Sequence, residues 1–177
     1  MQLQSLIRGV PNWPKPGILF YDITTLWKDP TGLHESVKQL AAQCIALKPD
    51  IIIGAESRGF IVGAALAYEM GIGFAPVRKP GKLPADTISE SYTLEYGKDE
   101  LHIHTDAIRA GQRVLIADDL AATGGTAQAM SKMIATLGGV LVGYAFIVEL
   151  DFLSPRSKLT DAPIISLIHY DNENVQE

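Results

Sequence analysis

The sequence predicts an α/β fold, with a mostly parallel central sheet flanked by helices in a single domain over residues 1–177. Three observations predict it. Apolar runs such as "IIIGA" and "VLIA" are continuous rather than alternating, as in strands buried on both faces. Stretches with helical apolar spacing lie between them. Glycine or proline marks the handovers, as at Gly71 and Gly138-Gly139. Strands that alternate with helices build parallel sheets, whose ligands sit beyond the carboxyl ends of the strands.

Taken in order, residues 33–47 place Leu33, Val37, Leu40, Ala41, Cys44 and Ile45 on one helical stripe, which makes Cys44 a packed core residue. Lys48-Pro49-Asp50 ends that helix. "IIIGAE" is a buried strand, "GFIVGAALAYEMG" a helix closed by Gly71, and "GFAPVRK" a short strand. Residues 79–100 are polar and weakly periodic; "SYTLEY" is expected to pair as a hairpin arm with "ELHIHTDA", with His102 and His104 on the surface. "RVLIADD" is a strand ending in two carboxylates. A helix follows over about 126–137, then the strands "VLVGYAFIVEL" and "PIISLIHY".

Apolar residues make up 47% of the chain and charged residues 20%, a globular balance. A formal net charge of −5 argues against a general nucleic-acid binder, which needs a basic surface. The single cysteine permits no disulfide within the chain and suits a reducing compartment. The first residues lack an apolar signal core, and the longest mostly apolar run is too short to span a bilayer as a helix. A cytoplasmic protein without a membrane partner is expected.

The unusual chemistry sits at two strand ends, Glu56-Ser57-Arg58-Gly59 and Asp118-Asp119. After Asp119 comes a turn of small residues with two hydroxyls, Thr123 and Thr126, and then a helix whose N-terminal N–H groups face the same spot. Those are the features of a phosphate cradle. It is neither a Walker A loop nor a G-x-G-x-x-G fingerprint. Two carboxylates beside a phosphate would repel it, so they need another partner: vicinal sugar hydroxyls or a metal ion. A sugar phosphate with two free hydroxyls satisfies the pair and the cradle together.

"VLIADDLAATGGT" resembles the 5-phosphoribosyl-1-diphosphate signature of the type I phosphoribosyltransferases. "PKPGILFYDIT", "ESRGF", "RKPGKLP" and "YTLEYGK" look like the adenine phosphoribosyltransferases, in the expected order from Pro11 to about Tyr170. The resemblance implies a sheet with a small N-terminal hood and a flexible lid over residues 80–100. It implies that Ala122, Thr123, Gly124, Gly125 and Thr126 cradle the 5-phosphate and that Asp118 and Asp119 hold the ribose hydroxyls. Arg58, with Ser57 beside it, would bind the pyrophosphate and assist its departure. Arg78, Lys79 and Lys82 would form a basic clamp, part of it reaching a neighbouring subunit of a homodimer. Pro80 stands where the family often has Arg.

In the lid, Tyr96 would contact the donor and Glu95 would handle the purine's proton. In the hood, Leu19, Phe20 and Tyr21 would receive adenine. Phe20 would stack, and Leu19 and Tyr21 would read the base edge through backbone groups; Tyr21 too replaces a frequent Arg. The implied reaction joins adenine to 5-phosphoribosyl-1-diphosphate, giving AMP and pyrophosphate, with Mg²⁺ held mainly through the diphosphate rather than by protein ligands. Two rivals are a 6-oxopurine phosphoribosyltransferase and a non-catalytic sensor of the sugar diphosphate. The first usually carries an Asp at the position of Ala122 and a Lys at that of Gly125. The second can lose the lid or the base pocket, and "SYTLEYGK" and "ILFYD" argue against it.

Overall fold

The computed structural model describes residues 2–94 and 97–172. A two-stranded antiparallel ribbon opens the chain, β1 (Arg8–Pro11) on β2 (Leu19–Asp22). Next come α1 (Thr24–Lys28) and α2 (Pro30–Cys44), β3 (Ile51–Ala55), α3 (Arg58–Met70) and β4 (Gly73–Val77). A hairpin of β5 (Thr87–Leu94) and β6 (Gly97–His104) follows. The remainder is β7 (Arg113–Ala121), α4 (Gly125–Thr136), β8 (Val140–Leu150) and β9 (Ile164–Tyr170).

The central sheet has the order β4-β3-β7-β8-β9, and every pairing in it is parallel. The chain leaves β3 toward β4 on one side, then returns to place β7 on the other. The sheet therefore changes winding direction between β3 and β7, and a crevice opens at their carboxyl ends. Successive residues of each strand face opposite layers. Ile52 and Leu115 pack with Leu40, Cys44 and Leu66 of α2 and α3. Ile53 and Ile116 pack with Met130, Met133 and Ile134 of α4. Both faces are thus apolar, which is why these strands read as unbroken apolar runs.

Several expectations are corrected in detail. α2 starts at Pro30 rather than 33, because Asp29 caps it by accepting the Gly32 N–H at 2.7 Å and Pro30 suits the first turn. Ile45 is not in the core stripe: the helix tightens into a 3₁₀ turn over Ile45–Leu47, the 3.6-residue period is lost, and Ile45 is 68% exposed. Cys44 is fully buried, and burial pushes its thiol pKa up to about 12.

The strand carrying the acidic pair does not end there. β7 runs on to Ala121 because β8 is long enough to pair Leu120 with Val148 and Ala121 with Glu149. The expected hairpin forms, but its arms are Thr87–Leu94 and Gly97–His104, earlier than "SYTLEY" and "ELHIHTDA", with Ser91 opposite Glu100 and Tyr92 opposite Asp99. Its base is fixed to the end of β4: Arg78 and His102 exchange backbone hydrogen bonds at 2.9 and 2.7 Å. His102 is accordingly not a surface residue. Its ring lies between Thr87 Oγ1 at 3.1 Å and Glu100 Oε1 at 2.5 Å, and its side chain is 20% exposed.

Candidate active site

Two adjoining clefts open beyond the carboxyl ends of β3 and β7. One, of ≈ 290 Å³, is walled by Ser57 and Arg58 at the start of α3, by Lys79 and Tyr92, and by Asp118, Asp119 and Thr126. The other, of ≈ 190 Å³, is lined by Ala122 through Thr126 and by Phe146. Asp118 and Thr126 belong to both. The acidic pair therefore stands at the junction between a cation-bearing lobe and a lobe made of small residues.

The small-residue lobe follows from local backbone geometry. Gly124 has φ +82°, a left-handed conformation that turns the chain from β7 into α4. α4 then begins at Gly125 with its N-terminal N–H groups toward the lobe, the arrangement that attracts an anion.

The acidic pair is held tightly. Asp118 Oδ1 accepts the Asp119 N–H at 2.9 Å. Gly59 lets α3 approach it closely: a Cβ there would come within 2.9 Å of Asp118 Oδ1 and displace the carboxylate. Asp119 is 3% exposed, and Arg58 Nε lies 3.0 Å from its Oδ2. That approach lacks hydrogen-bond alignment, and Asp119 Oδ2 is a buried oxygen without a hydrogen-bond partner among the described residues. Burial, reinforced by the neighbouring Asp119 charge, pushes the Asp118 carboxyl well above the usual range. Burial also raises Asp119, opposed by the Arg58 guanidinium. A buried acceptor with no donor is costly unless a ligand supplies one.

On the other wall, Lys79 places its backbone N–H on Glu56 Oε1 at 2.8 Å, and Arg78 Nε donates to the same oxygen at 3.1 Å. The Lys79 donation, joined by Arg78 and outweighing burial, holds the Glu56 carboxyl below the usual range. The Lys79 ammonium is ion-paired with Asp99, and Tyr92 OH donates to Asp99 at 2.9 Å. Desolvation works against the Lys79 charge, but Asp99 and Tyr92 raise its pKa on balance.

Of the residues singled out in the sequence, the structure gathers Ser57, Arg58, Lys79, Asp118, Asp119 and Ala122–Thr126 around these two lobes. Arg78 stands one step behind, spent on Glu56, with its Nη1 on the Lys82 carbonyl at 3.3 Å. Lys82 is exposed and lines neither lobe. Glu95 and Tyr96 lie outside the described residues.

In the hood, strand alternation separates the three predicted residues. Phe20 lies on the side of Arg58, a wall of the cationic lobe: the guanidinium is 5.8 Å from its ring centroid, and Trp13 meets it edge-on at 4.4 Å. Leu19 and Tyr21 point the other way, into a separate cavity of ≈ 690 Å³ beside β9. There Tyr21 stacks on Tyr170 with ring centroids 3.7 Å apart. Only backbone groups of Leu19 and Tyr21 remain on the Phe20 side.

Sequence reasoning missed Tyr92 and Asp99, and it singled out Glu56 without its role as the anchor of Arg78 and Lys79. Tyr92 packs over the T-G-G-T loop, where a Cβ on Gly125 would meet its ring at 3.6 Å. The available signal was the hairpin register, which sets Tyr92 across from Asp99.

Comparison with known proteins agrees with this arrangement. Residues 30–162 match the phosphoribosyl transferase domain family. An adenine phosphoribosyltransferase of a Synechococcus strain is 55% identical over 97% of this chain and 100% of its own length. The crystal structure of adenine phosphoribosyltransferase from Thermoanaerobacter pseudethanolicus superposes with a TM-score of 0.92 at 50% identity, covering 95% of this chain and 98% of that one. The Saccharomyces cerevisiae enzyme, solved with adenine and an imino-altritol bisphosphate, gives 0.87 at 41% identity, over 93% and 96% of the two chains. With a family match over most of its length and a switch-point cleft that pairs two carboxylates with a T-G-G-T loop, the chain belongs to the phosphoribosyltransferase family.

Proposed function

We propose that the chain transfers phosphoribose from 5-phosphoribosyl-1-diphosphate to adenine, forming AMP and pyrophosphate in purine salvage. The observation that carries this reading is the buried Asp119 Oδ2, ion-paired with Arg58 at 3.0 Å but without an aligned hydrogen bond among the described residues, where the cationic lobe meets the small-residue loop. A donor with a 5-phosphate, two ring hydroxyls and a diphosphate presents three groups in the same sequence as the three surfaces.

In this reading the Thr123–Thr126 backbone and hydroxyls hold the 5-phosphate, and Asp118 and Asp119 accept the ribose hydroxyls. Arg58, Ser57 and Lys79 receive the diphosphate. Adenine lies on Phe20, its edge read by backbone groups of Leu19 and Tyr21. The purine N9 forms a bond to the anomeric carbon as the bond to the diphosphate oxygen breaks, and pyrophosphate leaves with the electron pair. Positive charge gathers on the ribose ring, and the carboxylates beneath it stabilise that charge. The proton released from the base is assigned to Glu95. Mg²⁺ would be held mainly through the diphosphate oxygens, and the hard carboxylate oxygens of Asp118 and Asp119 would suit the neighbourhood of such a cation. When bound, the ion neutralises leaving-group charge. A homodimer and a cytoplasmic location complete the proposal; the single, buried Cys44 suits a reducing compartment.

The test is product analysis with donor, Mg²⁺ and one base at a time: adenine, hypoxanthine, guanine or xanthine. AMP should form rapidly from adenine alone. Comparable turnover of a 6-oxopurine overturns the base assignment, and donor binding without any turnover overturns the enzymatic one. Sedimentation at micromolar protein tests the dimer.

A further inference from the structure

We propose that the pair formed by buried Glu149 and half-exposed Arg156 is a positioning device that holds residues 155–159 as a wall against the phosphate loop, and so sets the loop's grip on a 5-phosphate. The inference rests on the function proposed above. Glu149 is the penultimate residue of β8 and is 1% exposed, so its charge must be met inside the protein. Arg156 meets it with a two-pronged contact, Nε to Oε1 at 2.7 Å and Nη2 to Oε2 at 2.8 Å. Ser166 of β9 donates to Oε2 at 2.6 Å and fixes the carboxylate's orientation. His169 stands 3.9 Å from the same oxygen but is paired with Asp151 at 3.0 Å. Glu149, Asp151 and His169 come close enough to share a metal ion, but both Glu149 oxygens are already taken by Arg156 and Ser166.

The pair touches the phosphate loop from two directions. On the backbone side, Glu149 is the sheet partner of Ala121, the residue that leads into Ala122–Thr126. On the side-chain side, Arg156 sits in the 3₁₀ turn Pro155–Ser157. A Cβ on Gly124 would meet the Pro155 carbonyl oxygen and Leu159 Cγ at 3.3 Å each, so this segment lies directly against the loop's left-handed glycine. Leu159 is 3% exposed, and Gln128 of α4 reaches the Lys158 carbonyl at 3.4 Å. Neither Glu149 nor Arg156 lines either lobe. Their influence passes through the wall and not through contact with substrate.

The experiment measures binding of two separate probes, ribose 5-phosphate and inorganic pyrophosphate, to the full chain by calorimetry. Arg156→Ala should weaken ribose 5-phosphate by ~10-fold or more through loss of loop alignment, while pyrophosphate affinity stays near the wild-type value. KM for the donor should rise with kcat less affected. Arg156→Lys, which keeps a cation on Glu149, should recover part of the loss. Leu159→Ala, which leaves the ion pair intact, should reproduce the selective loss, and it decides the matter if Arg156→Ala fails to fold. Equal weakening of both probes in cooperatively melting variants, or no weakening, overturns the proposal. A wild-type chain that binds no ribose 5-phosphate overturns the function reading, and this inference with it.

Discussion

The Lys79 ammonium, a wall of the cationic lobe, is ion-paired with Asp99 on the second strand of the hairpin. Tyr92, across the ladder, donates to the same Asp99 oxygen at 2.9 Å. An intramolecular carboxylate thus occupies a cation that an incoming diphosphate would claim. Asp99→Asn should free Lys79 and raise pyrophosphate affinity by about 2–5-fold, the range of a partly exposed ion pair. An unchanged calorimetric constant would show that Asp99 and the ligand do not compete.

The same pair fixes a pH dependence. Lys79, against a burial penalty, holds the Asp99 carboxyl below its usual range. A carboxyl lowered on folding stabilises above its unfolded pKa of about 4 and loses that contribution as pH falls through the folded value. Hairpin amides 87–94 and 97–104 should therefore lose hydrogen-exchange protection, beyond the chemical rate change, as pH drops below about 4. In Asp99→Asn that step should be absent.

Asp118 has the opposite sign. Its folded-state pKa is raised by burial and by Asp119. Such a group stabilises below its unfolded pKa of about 4 and loses that contribution as pH rises through the folded value, so at neutral pH the charge works against the fold. Asp118→Asn keeps the acceptor for the Asp119 N–H and removes the charge. It should melt higher at pH 7, by about 2–4 °C per kcal/mol relieved in a domain of this size, with the gain vanishing near pH 4. Its kcat/KM should fall ~10-fold or more, about 1.4 kcal/mol. A variant both no more stable and no less active would remove Asp118 from the ribose-binding role.

What the sequence made legible follows from range. The buried strands and the T-G-G-T loop are local patterns, and each falls where the residues place it. Ile45 misled because a helical stripe does not announce the 3₁₀ turn that ends it. Asp118-Asp119 read as a strand end because two charges interrupt an apolar run, whereas the reach of β8 decides how far β7 continues. The contacts of Tyr92, Glu56 and Asp99 were invisible for the same reason. Their partners lie 7 to 23 residues away, and only hairpin register and the β4 connection join them. Alternation in "ILFYD" contains the opposite facing of Phe20 and Tyr21, but which face meets the cleft depends on Arg58.

Gly59 is a test of that packing. A methyl there would press Asp118 Oδ1, at 2.9 Å, and Cγ, at 3.3 Å. The nearest atom is the tip of a side chain that can swing aside, so Gly59→Ala should fold with a near-normal melting temperature. The displaced carboxylate should cost ~10²-fold in kcat/KM, the scale of a misplacement of about 1 Å. Full activity with intact folding would mean that Asp118 does not act from the position seen here.

The last prediction concerns the base. Phe20 is the hood side chain on the cleft side, close to Arg58 and Trp13. Phe20→Ala should remove a stacking surface worth about 0.5–1.5 kcal/mol beyond its buried area, raising KM for adenine ~10-fold with kcat less affected. Tyr21→Phe should change little, since the Tyr21 hydroxyl donates to the Asn172 carbonyl at 3.2 Å, on the far side of β2. Base choice should survive both substitutions, because it is assigned to backbone groups: a carbonyl accepting from the 6-amino group of adenine and an N–H donating to N1. Hypoxanthine reverses both polarities. Two mispaired, desolvated groups should discriminate by ~10³-fold or more. Steady-state rates of wild type, Phe20→Ala and Tyr21→Phe on adenine and hypoxanthine separate these roles. If Tyr21→Phe relaxes the preference, the selecting group is a side chain and the backbone assignment fails.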